Sequence, residues 1–297
     1  LERKALFIIN PISGGKKKDD VPELIKKYLD ATKFEAVVVC SDGPAHARQI
    51  AKEAAKKFDL IVAVGGDGTV NEVASAIVGT DTLLGIVPYG SGNGLARFLG
   101  ISMNTRKAIR ALNTSRIEVI DSGTVDGRPF FNMAGMGFDA HISEVFAKRK
   151  KRGFFTYLVS SIEEFNKYKP EAYNIEVDGN MYEREAFMLS FANSSQYGNN
   201  AHISPNASVQ DGLLDICVIK QFPFWRLLEM GIRMLTKTTD STNYLEIIRG
   251  KHIAVKRASP GPIHLDGEPQ ITGGQTKIEI VPNSLKVIVG DYKKSKV

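Results

Sequence analysis

The stretch Asp59-Leu60-Ile61-Val62-Ala63-Val64-Gly65-Gly66-Asp67-Gly68-Thr69-Val70-Asn71-Glu72-Val73 restricts the fold of this chain more than any other. Residues 60–64 form an unbroken apolar run, which suits a strand buried on both faces in the middle of a parallel sheet. The run breaks on Gly65 and Gly66 and leads into a helix, with Thr69 expected as its cap and residues 70–78 as its body. Gly65, Gly66 and Gly68 carry no Cβ, so their N–H groups can come close to a phosphate at a helix N-terminus. A bare carboxylate at Asp67 repels an anion and points instead to a metal ion, ordered water or a proton to be removed. A glycine turn that only packs tightly explains the same residues, and this turn alone does not decide between the two.

The neighbouring segments repeat the pattern. Residues 5–9 form a strand that ends at Asn10-Pro11-Ile12-Ser13-Gly14-Gly15, and Asp19-Asp20 open a helix carrying Leu24, Ile25 and Leu29 at helical spacing. A second strand over Phe34–Cys40 turns through Ser41-Asp42-Gly43-Pro44 into a helix over residues 45–58. A fourth strand, Leu83–Pro88, breaks at Tyr89-Gly90-Ser91-Gly92-Asn93-Gly94. Strands alternating with helices through short links indicate βαβ units and a parallel sheet. Glycine turns therefore recur after the first, third and fourth strands, all on the rim where open α/β folds bind ligands. Three turns on one rim favour a nucleotide phosphate site. No GxxxxGK[ST] occurs, and no GxGxxG follows the first strand. Asp42 falls where a dinucleotide fold carries a ribose-binding acid, but a turn or cap residue is the plainer reading.

A chain of 297 residues is long enough for two cores. Beyond Arg116 the grammar changes to short strand-like runs with Asp-Gly turn signals at Asp126-Gly127 and Asp178-Gly179, interrupted by helices near 153–168 and 224–235. The expected architecture is an N-terminal α/β domain, an open and mostly parallel sheet with helices, over residues 1–121. A C-terminal antiparallel β-sandwich domain over 122–290 and a tail over 291–297 complete it. With 43% hydrophobic and 24% charged residues, disordered and collagen-like classes are excluded. A net charge of +6 permits attraction to anionic surfaces. Cys40 and Cys217 each sit in an apolar run and are expected to be buried thiols, and no CxxC spacing exists. No apolar run reaches spanning length. A cytosolic protein is the default expectation; because the sequence begins at Leu1 rather than Met, a removed leader stays open.

Several constellations in the second half carry chemistry. Gly135-Met136-Gly137-Phe138-Asp139 follows a strand and opens a helix, and a packing turn accounts for it equally. Ser208-Val209-Gln210-Asp211-Gly212-Leu213 is a turn that can offer a hard cation oxygen ligands, or a plain Asp-Gly turn. His264-Leu265-Asp266-Gly267-Glu268 sets two carboxylates across a glycine, a candidate general base and its partner, or else a solvated hairpin tip. The five consecutive cations at 148–152, followed by aromatic residues, match a membrane-surface patch, where each cation near anionic lipid is worth roughly 1 kcal/mol; a solvated helix end is the alternative. Phe222-Pro223-Phe224-Trp225-Arg226-Leu227-Leu228 is a second candidate for lipid contact, or an ordinary buried helix start. Nucleic acid is a poorer partner, since aromatics do not interleave with basic residues along a strand.

Taken together, Asn10-Pro11 with Ser13-Gly14, the GGDGTVNE run from Gly65, Pro88-Tyr89-Gly90-Ser91-Gly92-Asn93, Gly135 to Asp139, Asp211-Gly212-Leu213-Leu214-Asp215 and Leu265-Asp266-Gly267-Glu268 occur in family order. The chain resembles the diacylglycerol kinase catalytic-domain family of bacterial lipid kinases, which includes sphingosine and ceramide kinases, over nearly its whole length. The resemblance implies ATP bound across the three turns, by Asn10, Pro11, Ser13, Gly14, Gly65, Gly66, Asp67, Gly68, Thr69, Asn71, Glu72, Ser91, Gly92 and Asn93, with Ser41 as a further nucleotide contact. It implies Glu268 as proton acceptor with Asp266 beside it, and a structural Mg²⁺ site at Ser208, Asp211 and Leu213. It also implies a lipid acceptor held between the two domains, transfer of the γ-phosphoryl of ATP to its hydroxyl, and peripheral attachment to the inner face of the membrane. A homodimer is an open assembly.

Two departures matter. Bacterial diacylglycerol kinases carry an aspartate where Gly94 stands, so one acid of the network around the catalytic metal is missing. The form Gly90-Ser91-Gly92-Asn93-Gly94-Leu95 is similar to that of eukaryotic sphingosine kinases, which give the base role to the aspartate matching Asp67. The choice between Asp67 and Glu268 as base therefore stays open, and activity on sphingoid bases is expected beside diacylglycerol. The rivals are a phosphotransferase on a soluble acceptor, like an NAD kinase, and a catalytically inactive nucleotide- or lipid-binding protein.

Overall fold

Alternating strands and helices build the first unit, as the spacing of apolar runs and glycine turns predicts. The computed structural model describes residues 3–15, 17–114, 116–148 and 154–290. The first unit runs to Ile120 and takes the chain back from Asn283 onward, and the second covers Asp121–Pro282. In chain order the first unit holds β1 (Arg3–Ile9), α1 (Val21–Tyr28), β2 (Phe34–Cys40), α2 (His46–Ala54), β3 (Leu60–Gly65) and α3 (Asp67–Ile77). β4 (Leu83–Pro88), α4 (Gly94–Phe98), α5 (Thr105–Leu112) and the start of β5 (Ile117–Val125) follow.

The parallel sheet has the order β2-β1-β3-β4, with Phe7 opposite Val38 on one side and Val62 on the other. Strand order thus reverses at β1, which makes the C-terminal ends of β1 and β3 the switch point where ligands of such sheets bind. β3 and β4 are buried along their whole length, as apolar runs covered on both faces must be. The returning segment closes this unit: Val287 pairs with Leu84, Gly79 donates to Ser284 O, and Gly290 donates to Leu99 O.

β2 corrects one expectation. Cys40 is exposed rather than buried, because β2 is the edge strand and most of its residues face solvent. An apolar run alone does not tell an edge from an interior. Cys217, in the second unit, is buried as expected.

The second unit begins with the end of β5 and continues through β6 (Arg128–Phe130), β7 (Met133–Gly137), α6 (Phe138–Lys148), α7 (Phe154–Phe165), β8 (Glu171–Val177), β9 (Asn180–Ala186) and β10 (Met188–Ala192). Next come β11 (Gln196–Gly198), β12 (Ala201–His202), β13 (Leu214–Ile219), α8 (Leu227–Thr236), β14 (Leu245–Gly250) and β15 (His252–Lys256). β16 (Gly261–Leu265), β17 (Glu268–Thr272) and β18 (Gln275–Ile288) end it, β18 running on into the returning segment. One antiparallel sheet has the order β14-β13-β10-β7-β16-β17, and β18, β15, β8 and β9 pair in that order in the other. Phe191, Leu214, Ile216 and Ile263 from the first meet Tyr173, Ile175, Val255 and Ile278 from the second in one core, the layered packing of a β-sandwich. A second apolar cluster packs Phe138, Phe165, Phe187, Phe222 and Met230 together, with the Phe138 and Phe187 rings stacked at 4.5 Å.

Candidate active site

Three turns at the rim of the first sheet are in direct contact. Gly14 has φ +65°, and a Cβ there would lie 1.7 Å from Tyr89 O, so the turn after β1 closes on the turn after β4 only through a glycine. A Cβ on Gly90 would lie 2.6 Å from Gly66 Cα, so the turns after β3 and β4 meet backbone to backbone. Hydrogen bonds join them: Asn10 Nδ2 donates to Thr69 Oγ1 at 3.0 Å, and Tyr89 N donates to Gly65 O at 2.7 Å. Asn93 is buried in a left-handed conformation, donating to Gly90 O and accepting from Gly90 N.

Asp67 is the hub. α3 begins at Asp67 itself, two residues before the expected cap at Thr69, and Thr69 is buried within the helix. The Asp67 carboxylate accepts from Asn93 N and Gly94 N, both at 2.8 Å, and so caps α4. Further along α3, Glu72 accepts from Ala45 N at 3.0 Å and Arg48 N at 3.3 Å, supplying the N-terminal cap that α2 lacks in its own sequence. Of the other rim residues, Ser13 Oγ donates to Asn10 O, Ser41 is buried with its hydroxyl toward Ile9 O, and Asn71 accepts from Ser75. Gly66, Gly68 and Gly92 are half-buried, and Pro11 and Ser91 are exposed.

In the second unit the motif from His264 to Glu268 forms the β16–β17 hairpin, with Asp266 and Gly267 both at positive φ as a two-residue turn requires. The two acids of the motif have different surroundings. Asp266 is buried, and its carboxylate accepts from the backbone N–H of Phe131, Asn132 and Met133 at 2.8–3.0 Å. Glu268, at the start of β17, is exposed. His264 lies beneath the turn with its Nε2 2.6 Å from Asp139 Oδ2, both side chains being buried. Burial opposes charge on this ring, but the Asp139 charge and hydrogen bond, with Asp266 nearby, outweigh it and raise the pKa above its ordinary value.

At the turn before β13, Asp211 Oδ1 accepts from Leu213 N, and Oδ2 receives Arg249 Nη2 at 2.6 Å. The same guanidinium donates from Nε to the buried Asp215 at 2.7 Å, and that bond raises the arginine's pKa further. Asp121, also buried, accepts from Gly212 N at 2.8 Å.

Comparison with known proteins gives this geometry a family. The diacylglycerol kinase catalytic domain matches residues 4–125, and the YegS C-terminal NAD kinase beta sandwich-like domain matches 132–289. The chain belongs to the diacylglycerol kinase catalytic-domain family. Among relatives of this lipid kinase family, the diacylglycerol kinase of Bacillus subtilis (strain 168) is 29% identical, with 90% of each chain covered. A probable YegS-like lipid kinase of Citrobacter koseri is 30% identical over 77% of each chain. The fold is shared with a solved diacylglycerol kinase structure from Bacillus anthracis, at a TM-score of 0.75 and 22% identity over 97% of both chains. It is shared more distantly with an NAD kinase from Archaeoglobus fulgidus solved with ATP, at a TM-score of 0.55, 15% identity and 97% and 94% coverage.

The turns expected to bind nucleotide thus come together on one rim, with Asn10, Ser13, Gly14, Gly65, Gly66, Asp67, Thr69, Gly90 and Asn93 joined by the contacts above. Glu72, although inside the motif, has both carboxylate oxygens on the backbone of α2 and the turn before it. The expected metal residues fit a divalent ion poorly. Asp211 already receives a guanidinium, and Ser208 Oγ accepts from Gln210 N. The cation that Asp211 holds in this structure is the Arg249 guanidinium. The basic run at 148–152 lies outside the described residues apart from Lys148.

The sequence does not mark Lys18 as a site residue. It is buried at 5% exposure, donates to Ser13 O at 2.6 Å and Pro11 O at 3.3 Å, and lies 5.0 Å from the Tyr89 ring centroid. Burial lowers its pKa. The run Gly14-Gly15-Lys16-Lys17-Lys18 is the signal that could have found it. The Asp139–His264 pair escapes sequence reasoning too; its signal is a histidine two residues before the first acid of the hairpin.

Proposed function

We propose that this member of the family is an ATP-dependent lipid kinase that transfers the γ-phosphoryl of ATP to a hydroxyl of a lipid acceptor. The observation that carries the reading is the packing of three glycine turns on one rim, held by Asp67, at the N-terminus of α3. Backbone N–H groups and the positive end of a helix suit the phosphates of ATP taken up as its Mg²⁺ complex. Mg²⁺ bound with the nucleotide would supply offsetting positive charge to the transferring phosphoryl. Asp67, fixed by two backbone amides, holds the third turn in register, while Glu268, exposed at the end of its hairpin turn, is the acid that takes the acceptor's proton.

Diacylglycerol is the first acceptor, in keeping with the name of the Bacillus subtilis relative. A sphingoid base is the second, favoured by Gly94 and the form of the turn around it. Its ammonium would gain little from the carboxylates of Asp67 and Asp266, which both hold backbone N–H groups; the solvent-facing Glu268 is the acid that would attract it. The test is labelled ATP with diacylglycerol and a sphingoid base competing in mixed micelles. A larger kcat/KM for diacylglycerol is expected, and no transfer to any lipid overturns the reading.

A further inference from the structure

Helix α8 is apolar on two sides. Inward, Met230 is buried and Leu227 and Met234 pack on the cluster containing Phe165, Phe187 and Phe222. Outward, Leu228, Ile232 and Leu235 are 76%, 52% and 61% exposed, and Trp225, in the 3-10 turn Phe224–Arg226 that precedes the helix, is 79% exposed. At about 100° per residue, Leu228, Ile232 and Leu235 fall in a stripe roughly 60° wide, about 130° from the inward face. Trp225, Leu228 and Ile232 line one shallow concavity with Glu229 and Arg233. A helix packed on a core needs one apolar stripe, and a second in water is unfavourable without a partner.

We infer that this outer face of α8 is a bilayer-docking surface that inserts into the interface of an anionic membrane. Charge favours a membrane: residues 220–243 carry Lys220, Arg226, Arg233 and Lys237 against Glu229 and Asp240. Glu229, the acid beside the stripe, is held by Arg226 at 3.3 Å and Arg233 at 2.9 Å, so it does not face lipid as a bare charge. Lys220, Arg226 and Lys237 are exposed and can reach anionic headgroups from the border of the stripe. An indole at the head of the stripe suits the boundary between headgroups and chains. Pairing of this face with a second copy about a twofold axis would bring the same cations together. The lipid-acceptor reading supports the choice of a bilayer, whereas the stripe and its charges stand without it.

Trp225 is the sole tryptophan of the chain, so its emission reports on this face alone. The full chain is titrated, without ATP or acceptor, with vesicles of phosphatidylcholine and phosphatidylglycerol. A blue shift, quenching by lipids brominated along the acyl chain, and weakening by added salt are expected. The double variant Leu228→Gln, Ile232→Gln should bind vesicles at least about tenfold more weakly with an unchanged Tm. An unshifted emission, or a double variant that binds as tightly as the wild type, overturns the surface. So does a blue shift without vesicles that tracks a doubling of mass in sedimentation, which gives the face to a second copy. Phosphoryl transfer to lipid in detergent micelles is measured in parallel, so failure of the kinase reading is seen separately from failure of docking.

Discussion

Asp67 Oδ1 accepts the backbone N–H of Gly94 at 2.8 Å, tying the first residue of α3 to the first residue of α4. Oδ2 does the same for Asn93. Asp67→Asn keeps one acceptor oxygen and turns an NH₂ toward the other amide, so the third turn loses its register. Turnover with saturating lipid is expected to fall by at least about 100-fold with the fold retained by circular dichroism. Wild-type turnover would remove Asp67 from the mechanism.

The two acids of the β16–β17 hairpin should separate cleanly. Glu268→Gln alters an exposed side chain, and it is expected to lower kcat by at least about 100-fold with little change in Tm. Asp266→Asn takes a charged acceptor from three buried amides, and hydrogen bonds to charged groups are worth about 1.5–3 kcal/mol each, so a marked fall in Tm is expected. Urea melts and initial rates on both variants check the pair of outcomes. Loss of stability in the glutamate variant alone would reverse the assignment.

Arg249→Met leaves Asp211 and the buried Asp215 without their shared cation. A cost of about 2–4 kcal/mol is expected, below the full range for a buried pair because the arginine itself is half-exposed. The freed turn should then respond to Mg²⁺, which would raise the Tm of the variant more than that of the wild type. Equal Mg²⁺ responses would show that the guanidinium does not stand in for a metal.

His264 predicts a pH dependence of stability. Its folded pKa is raised above the unfolded value of about 6.5, so its contribution is fully present below about pH 6.5 and is lost as pH rises through the folded pKa. Melts of wild type and His264→Gln across this window should differ most at the acid end and converge as pH rises. Parallel curves would mean that the ring does not titrate with folding.

Elements were legible in the sequence wherever a local pattern sets them. The strands Phe34–Cys40 and Leu83–Pro88 lie where their apolar runs and turns put them, and the Asp-Gly signals fall on tight hairpins. What could not be read depends on partners distant in sequence. Cys40 is exposed because β2 has one neighbour, and nothing in residues 34–40 states that. α3 starts at Asp67 rather than after a Thr69 cap because the extended Gly66 is its N-cap and Gly66 O already accepts from Val70 N, while Thr69 Oγ1 accepts from Asn10, a residue on another turn. Glu72 reads as a ligand within its motif, yet it caps α2. Phe222 is buried in the second core cluster while Trp225, three residues on, faces solvent, a contrast set only by the direction of the turn between them.

The division of roles within Leu265-Asp266-Gly267-Glu268 bears on how such motifs drift over evolutionary time. Asp266 holds three amides of the chain around β7, so losing it harms folding whether or not the protein turns over substrate. Glu268 is exposed at the start of β17, and on the proposed reading, in which it takes the acceptor's proton, selection for phosphoryl transfer is the stronger pressure keeping it. A descendant that has given up catalysis should therefore keep the aspartate and the glycine and let the glutamate wander, and a surviving Asp-Gly pair in a relative would speak for its architecture while remaining silent on its chemistry.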